Sequence, residues 1–492
     1  MDIEQVIAYR RAKVERWRAR GIDPYPPRFR RSHTAREAVA ALEEAERAGQ
    51  APPTVSVAGR IVAMRQMGRA TFIDLRDGSG RIQTYHRLDV LGEEAYAALD
   101  DLDLGDFLGV SGDLFRTRSG EPTVQARAYT LLCKALRAPP EKWHGLQDTE
   151  TRYRQRYLDL MVNEEVRERF RLRHRIVQAV RRYLDERGFL EVETPVLQPQ
   201  AGGAAARPFV TYHNALERHL YLRIALELHL KRLLVGGYER VYELGKVFRN
   251  EGVTARHNPE FTMLEAYQAY ADYNDMMELT EGMVAYVASE ALGTLQVPCG
   301  DAVIDLTPPW PRVPLREAIL RHTGIDIGAL RDAAALREAA ASIGLAVDPS
   351  WDWPKLVDEL LANFVEPRTL QPTFIIDYPV ELSPLAKAKP EDPGLVERFE
   401  LFAAGREMAN AYTELNDPQE QRRRFQEQAR RRAAGQEEVE LGDEDFLVAL
   451  EHGMPPAGGL GLGIDRLVML LTGQSSIREV VLFPALREKG TS

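Results

Sequence analysis

The sequence predicts an α+β protein in which a small closed β-barrel precedes a larger part built from both helices and strands. Three observations predict it. Residues 55 to 134 fall into about five short, alternating, β-branched runs. After Pro139-Pro140, helical spacing and strand alternation take turns. The length, 492 residues, calls for two to four domains at roughly 100 to 200 residues each. Composition agrees: 44% hydrophobic and 28% charged residues, with 36 Gly and 29 Pro, exclude a collagenous, low-complexity or wholly disordered chain. Two cysteines, Cys133 and Cys299, exclude a disulfide scaffold, and the start MDIEQVIAYRRAK lacks the apolar run of a signal peptide, so a cytoplasmic protein is expected. No stretch approaches the ~20 apolar residues of a membrane span. The net charge of −10, from 64 Lys and Arg against 74 Asp and Glu, argues on its face against a nucleic-acid partner.

Residues 1 to 50 read as a basic helical extension. Helical composition over 2 to 20 carries Arg10, Arg11, Lys13, Arg16, Arg18 and Arg20, and Gly21 followed by Pro24 ends it. Residues 1 to 31 hold nine Lys or Arg and four Asp or Glu, a local +5; taken alone this is a solvated helix face before it is a nucleic-acid contact. In 51 to 137 the runs VSVAGRIVAM, RATFIDLRD and RIQTYHR, with Asp77-Gly78-Ser79-Gly80 as a turn, and the pair FLGVSGDLFRT and EPTVQARAYTLL joined through Ser119-Gly120 supply the strands. They suit an OB-fold, a binder of single-stranded nucleic acid, although other barrels also have five strands. Residues 138 to 162 read as a linker to a domain spanning 163 to 492. There, Asn163 is placed to cap a helix running to about Gly188, with Glu164 and Glu165 in the first turn and Val166, Phe170, Val177, Val180 and Leu184 as its buried stripe. FLEVETPVL follows as a strand whose Pro195 points to an edge or an interface. Residues 311 to 365 are helical patterns that look like an insertion, and strands resume at TFIIDYPV.

Three stretches concentrate chemistry. Residues 241 to 270, VYELGKVFRNEGVTARHNPEFTMLEAYQAY, are two alternating runs joined by a loop carrying Arg249, Glu251, Arg256 and His257, a group able to grip a polyphosphate. Phe261, Met263, Glu265 and Tyr267 share one face of the second run. In ELFAAGREMANAYTELND, residues 400 to 417, Asn410, Tyr412 and Glu414 also share a face, whereas Glu400 and Glu407 can converge only if the chain kinks or bulges near Ala403-Ala404-Gly405. Converging carboxylates would suit Mg²⁺, which takes one or two of them plus substrate phosphates. In GGLGLGIDRLVMLL, residues 458 to 471, Gly459, Gly461 and Gly463 leave one strand face bare for a ligand, and Arg466 sits at the strand–helix junction. Neither a P-loop nor a GxGxxG turn is present.

In this order the stretches resemble the class II aminoacyl-tRNA synthetases. GFLEVETPVL is similar to their motif 1, FRNEG with RHNPEF to motif 2, and GLGLGIDR to motif 3. KWHGLQDTETRYRQRYLDL, GGAAARPFVTYHNAL, RNEGVTARHNPEFTMLEAY and ELNDP extend the resemblance to the class II lysyl-tRNA synthetase family, from about residue 2 to 487. It implies an OB-fold anticodon-binding domain before a class II core with a mainly antiparallel sheet flanked by helices. It also implies ATP-driven formation of lysyl-adenylate and pyrophosphate, transfer of lysine to the 3′ end of tRNA(Lys), and a homodimer formed around the 164 to 187 helix and Pro195.

The resemblance further implies roles. Arg249 would bridge the lysine carboxylate and the α-phosphate, and Arg466, with Arg249 a catalytic residue, would hold the γ-phosphate end with His257. Phe261 would stack on adenine and Glu251 would bond its amino edge. Glu400 and Glu407 would hold Mg²⁺; zinc is not implied. Gly203, Glu227, Glu265, Tyr267, Asn410, Tyr412, Glu414 and Gly463 would line the lysine pocket, with Glu414 and Tyr267 at the ε-ammonium. Arg65, Phe72, Gln83 and Glu121 would meet the anticodon, though Met64 stands where some relatives carry another arginine. An acid-rich pocket favours lysine over the aspartate or asparagine of related synthetases; a catalytically dead RNA-binding paralogue would have lost Arg249, Arg466 or the metal carboxylates, which are present. On this view the −10 is an average: the basic surface belongs on the N-terminal third, and part of the acid serves the pocket and Mg²⁺.

Overall fold

Alternation in the first third closes into a barrel. In the computed structural model, which describes residues 2–140, 146, 148–435 and 442–487, strands β1 (Thr54–Met67), β2 (Ala70–Arg76), β3 (Arg81–Arg87), β4 (Phe107–Arg116) and β5 (Pro122–Cys133) form a closed sheet in the order β1-β2-β3-β5-β4. Inward positions such as Ile61, Ile73, Leu75, Ile82, Leu108, Val110 and Val124 fill it, as the two-residue period requires. At the β2–β3 turn the Asp77 carboxylate accepts from the amides of Ser79 and Gly80 (2.8 and 3.0 Å), the Asx geometry that makes this sequence turn.

The N-terminal helix, Ile3–Ala19, is capped by Asp2 with Gln5, but its basic residues are largely engaged with the barrel. Arg10 is buried and donates to the carbonyls of Leu104 and Ala135 (3.2 and 2.8 Å), and Lys13 pairs with Asp103 at 2.9 Å. Arg16 and Arg20 pair with Asp101, each at 2.7 Å. The expected basic path is therefore reduced, because these cations serve as docking groups. A second helix, Ala35–Ala48, escapes the sequence reading although Thr34 and Glu37 form a capping box at its start; it buries Ala35, Ala38, Leu42 and Ala45, a stripe at helical spacing that was there to be read.

The chain divides between Gln147 and Asp148 into two compact units. Within the stretch read as a linker, Thr149–Arg154 and Arg156–Val162 are helical, and Arg156 and Asp159 are buried as an ion pair at 2.6 Å. The second unit is organised by an eight-stranded sheet in the order β14-β15-β16-β17-β18-β11-β10-β6. These strands are β6 (Leu190–Glu191), β10 (Arg240–Phe248), β11 (Glu260–Ala269), β14 (Arg312–Pro314), β15 (Thr373–Pro379), β16 (Leu395–Ala403), β17 (Arg406–Thr413) and β18 (Ala457–Gly463), while β12 (Gln296–Cys299) and β13 (Ala302–Asp305) pair with each other apart from it. Pairing is antiparallel throughout, except for the parallel pairs β14–β15 and β10–β6 at the two edges. Helices Glu164–Asp185, Tyr273–Leu292 and Ile464–Leu471 contribute to the core on one face, where Ile176, Val180, Met276, Met283, Val287 and Leu467 meet Leu264, Phe399, Leu401, Ala409 and Leu462.

Two expectations change. Asn163 occupies the cap position of the long helix, but its side-chain amide donates to Asp159 at 2.6 Å and caps nothing. FLEVETPVL is not one strand: Leu190–Glu191 forms β6 at the sheet edge, and after Pro195 the segment Leu197–Gln198 (β7) joins β8 (Val210–His213) and β9 (Arg218–Leu222) in a separate sheet. Proline, lacking an amide donor, separates the two pieces. The expected helices of 311 to 365 are present as Leu315–Thr323, Ala333–Ser342 and Trp353–Leu360, and their core continues into Ile375, Tyr378, Val396 and Phe402 of β15 and β16.

Candidate active site

The face of the sheet opposite that core is assembled by register. Across β11, β18, β17 and β16, Glu265, Gly461, Asn410 and Glu400 form one row, and Tyr267, Gly459, Tyr412 and Arg398 form the next. Side chains of paired residues point the same way, so the glycines of β18 leave a trough between two functional strands. The trough is not uniformly open. A Cβ at Gly459 would lie 1.9 Å from Glu414 Oε1 and 2.5 Å from Tyr267 Cε1, so that place is filled by the protein's own groups. At Gly461 the nearest atoms would be 3.7 and 3.9 Å away, and here the expectation of a bare strand holds.

Glu400 and Glu407 reach the same face by a hairpin and a bulge. Ala404 and Gly405 both have positive φ (53° and 69°), the signature of a type I′ turn that suits twisted strands. The register then shifts by one residue at Met408, so that Leu401 faces Ala409 but Phe402 faces Glu407. In an unbroken ladder Glu407 would point into the core; the extra residue turns it toward Glu400. Arg398 pairs with Glu400 at 2.5 Å, and Arg466 with Glu407 at 2.9 Å. Burial, opposed by Arg398 and reinforced by the Glu407 charge, pushes the Glu400 carboxyl up to about 7.

At the acid-rich end, Glu265 accepts from the amide of Leu226 (2.8 Å) and the Tyr267 hydroxyl (3.0 Å), and Tyr412 donates to Glu227 at 2.7 Å. Glu227, Glu265 and Glu414 are all buried. Burial and the neighbouring Glu227 push Glu265 up to about 7. Gly203, at φ +84°, lies where a Cβ would come within 3.3 Å of Glu227 Cβ. Lys231, on the helix Glu227–Val235, makes ion pairs with Glu227 and, at 2.5 Å, with Glu414 Oε2.

The cationic end contains Arg249, whose guanidinium carbon lies 5.3 Å from the Phe261 ring centroid, and Arg466 at the start of the helix after β18. Burial lowers the Arg249 pKa, against the attraction of Glu251 and Glu407. His257 is held low by burial and by Arg466, and its Nδ1 lies 3.1 Å from Thr254 Oγ1. Asp465 ties this corner together, accepting from the Thr262 amide at 2.7 Å and pairing with Arg173 at 2.6 Å. Thus the face can take a cationic organic group at one end and an anionic chain at the other, with two carboxylates between strands β16 and β17 suited to a divalent cation. Among the described residues no cluster of three or more His, Cys, Asp or Glu is arranged to hold a metal by itself, and Mg²⁺ borne by a nucleotide needs only one or two carboxylates.

On the barrel, Arg65, Phe72 and Tyr85 are register neighbours on β1, β2 and β3. Phe72 stacks on Tyr85 with centroids 4.5 Å apart, and Tyr85 leads on to Phe115 at 6.0 Å. Gln83 is buried and accepts from Thr123 (3.1 Å), and Glu121 pairs with Arg81 at 3.0 Å. Lys231, Arg398, Tyr85, Phe115 and Arg81 were missed in the sequence. Lys231 stands four residues after Glu227 and Arg398 two before Glu400, spacings that were there to be used.

Comparisons with known proteins agree with this geometry. A family model described as tRNA synthetases class II (D, K and N) matches residues 148–487, and one described as OB-fold nucleic acid binding domain matches 55–132. The chain is 56% identical to a lysine–tRNA ligase of Dehalococcoides mccartyi over 491 residues, 99% of each chain. It is 57% identical to one of Moorella thermoacetica over 484 residues, 98% of each, and 54% identical to one of Chloroflexus aurantiacus over 491 residues, 99% of each. With a registered trough, acid at one end and arginines at the other, and full-length identity at this level, the chain belongs to the lysine–tRNA ligase family of class II tRNA synthetases.

Proposed function

We propose that the chain activates L-lysine with ATP, forming lysyl-adenylate and pyrophosphate, and transfers the lysyl group to the 3′ end of tRNA(Lys). The observation that carries the amino-acid assignment is Glu414: its carboxylate is fully buried, and while Oε2 pairs with Lys231 at 2.5 Å, Oε1 lies over Gly459 without a donor. Lys231 alone does not balance the buried carboxylates Glu227, Glu265 and Glu414, and burying this excess charge is costly unless a further ammonium completes it. Glu414 and Tyr267 therefore receive the substrate ε-ammonium, and Glu227 with Gly203 its α-amino group. Asn410, Tyr412, Glu265 and Gly463 line the same pocket. Amino-acid-dependent ATP–pyrophosphate exchange tests this: lysine should drive it, whereas exchange driven equally by aspartate or asparagine would refute it.

Attack of the lysine carboxylate on the α-phosphorus is in-line displacement, for which positioning and charge neutralisation are the main catalytic means. Arg249 spans the carboxylate and the α-phosphate, Phe261 stacks on adenine, Glu251 accepts from its amino group, and His257 and Arg466 hold the outer phosphates. The carboxylates of Glu400 and Glu407 fit Mg²⁺, which would supply charge neutralisation on the phosphates; a higher Mg²⁺ requirement in Glu400→Gln tests that pairing. Residues 51 to 137 form the anticodon-binding domain, with Arg65, Phe72, Gln83 and Glu121 at its face; 1 to 50 are its helical extension, and 163 to 492 the catalytic domain. The chain functions as a cytoplasmic homodimer. Exposed Leu197, Val210, Tyr212 and Leu216 around β7, β8 and β9 support that interface.

A further inference from the structure

Lys231 is fully buried, and its ammonium bridges Glu227, one turn earlier on the same helix, and Glu414, just beyond β17. The Tyr412 and Phe446 rings pack about it, with centroids 5.5 and 5.7 Å from Nζ. Its side chain is closed off from solvent. The groups facing it are Glu227 on its own helix, Tyr412 from β17 and Glu414 just beyond it, and Glu265 and Tyr267 from β11 act in turn on Glu414. The helix Glu444–Glu451 brings the Phe446 ring against it, with Leu447 and Leu450 in the same apolar cluster, and Arg249 acts on Glu265.

The pocket thus contains three buried carboxylates, Glu227, Glu265 and Glu414, and one resident ammonium. With all three ionised, the state that two bound ammonium groups favour, their sum is two negative charges. Lysine brings two ammonium groups, while its carboxylate belongs to Arg249. We propose that Lys231 is a positioning and specificity-determining residue: a permanent counter-ion that sets the pocket's charge to match a diammonium substrate and holds the Glu414 carboxylate for it. The Glu414 oxygen facing Lys231 is Oε2, at 2.5 Å, while Oε1 lies over Gly459 without a donor. Without Lys231, three crowded carboxylates in a buried site would share protons instead of staying ionised. That burial already raises Glu414, with Lys231 opposing the shift, agrees with this geometry.

This inference rests on the lysine-pocket reading, and the experiment separates the two. In pyrophosphate exchange by the full-length enzyme, Lys231→Met should raise the lysine KM at least about tenfold, while the ATP KM stays within about twofold. The acid limb of kcat/KM for lysine should also move up by about one pH unit or more, the equivalent of that tenfold change. Lys231→Gln serves where the Met variant does not fold, and Lys231→Arg, which keeps the charge, should retain the wild-type acid limb. An unmoved acid limb in the neutral variants, or an equal movement in Lys231→Arg, overturns the proposal. Glu414→Gln reports on the pocket itself: if lysine KM is unchanged there, the pocket assignment fails. If Glu414→Gln is impaired while the neutral Lys231 variants are not, only the role of Lys231 fails.

Discussion

Gly459 offers a sharp test of how the pocket is built, because its missing side chain is occupied by another residue's carboxylate. Replacing it with alanine would put a methyl carbon 1.9 Å from Glu414 Oε1 and 2.5 Å from Tyr267 Cε1. The first is about 1.5 Å short of the ordinary contact limit of 3.4 Å, and neither group has room to retreat. Glu414 is fixed by Lys231 at 2.5 Å, and β18 is fixed by ladders on both sides. Overpacking of this kind costs about 1 to 3 kcal/mol in stability. If Glu414 yields instead, the substrate loses a charged hydrogen bond worth about 1.5 to 3 kcal/mol, or roughly 10- to 150-fold in kcat/KM for lysine. Steady-state exchange with lysine and ATP varied separately should therefore show a selective lysine defect. Gly461→Ala is the control for the scaffold, since its nearest atoms would be 3.7 and 3.9 Å away: the apo protein should melt as wild type does. A Gly459→Ala enzyme with wild-type lysine kinetics and wild-type melting would refute both the packing argument and the placement of Glu414.

Two further predictions concern surfaces away from the trough. Phe72→Ala removes one partner of the Phe72–Tyr85 stack and should weaken tRNA charging by an amount equivalent to about 1 to 3 kcal/mol per stacked base, while lysine-dependent exchange is unchanged. Equal loss in both assays would mean that Phe72 only holds the barrel together. If the proposed dimer forms through β7, β8 and β9, Val210→Glu, at a position 58% exposed in the single chain, should halve the particle mass by light scattering, since a charge in an isologous contact is buried twice. An unchanged dimer would move the interface elsewhere.

What could be read from the sequence was local. Alternation located the five barrel strands to within a few residues, and it put Glu265 with Tyr267 and Asn410 with Tyr412 on shared faces, because side-chain period is a property of each strand alone. What could not be read was pairing. Nothing in GGLGLGIDR says that it lies between the strands of Glu265 and Asn410. The convergence of Glu400 with Glu407 needed a bulge at Met408, a residue with no turn signal of its own. FLEVETPVL looked continuous because its apolar residues alternate on both sides of Pro195. Lys231 was overlooked for a different reason: a lysine in a helix is nearly always solvated, and although Glu227 stands one turn before it, only the fold brings Glu414 to its other side.

The position of β18 has a consequence for synthesis. Its neighbours β11 and β17 are complete once residue 413 has been made, so nearly every side chain of the trough exists before the strand that spaces them does. Until 457–463 emerge, no hydrogen-bonded ladder connects Glu265 to Asn410 or Tyr267 to Tyr412. Closing a sheet by inserting a late, distant strand is a slow, high-contact-order step. It leaves the nascent chain with two unpaired strand edges, the kind of surface on which partly made proteins aggregate. Activity should therefore arise abruptly and only near the end of translation, with no shorter fragment able to anticipate it.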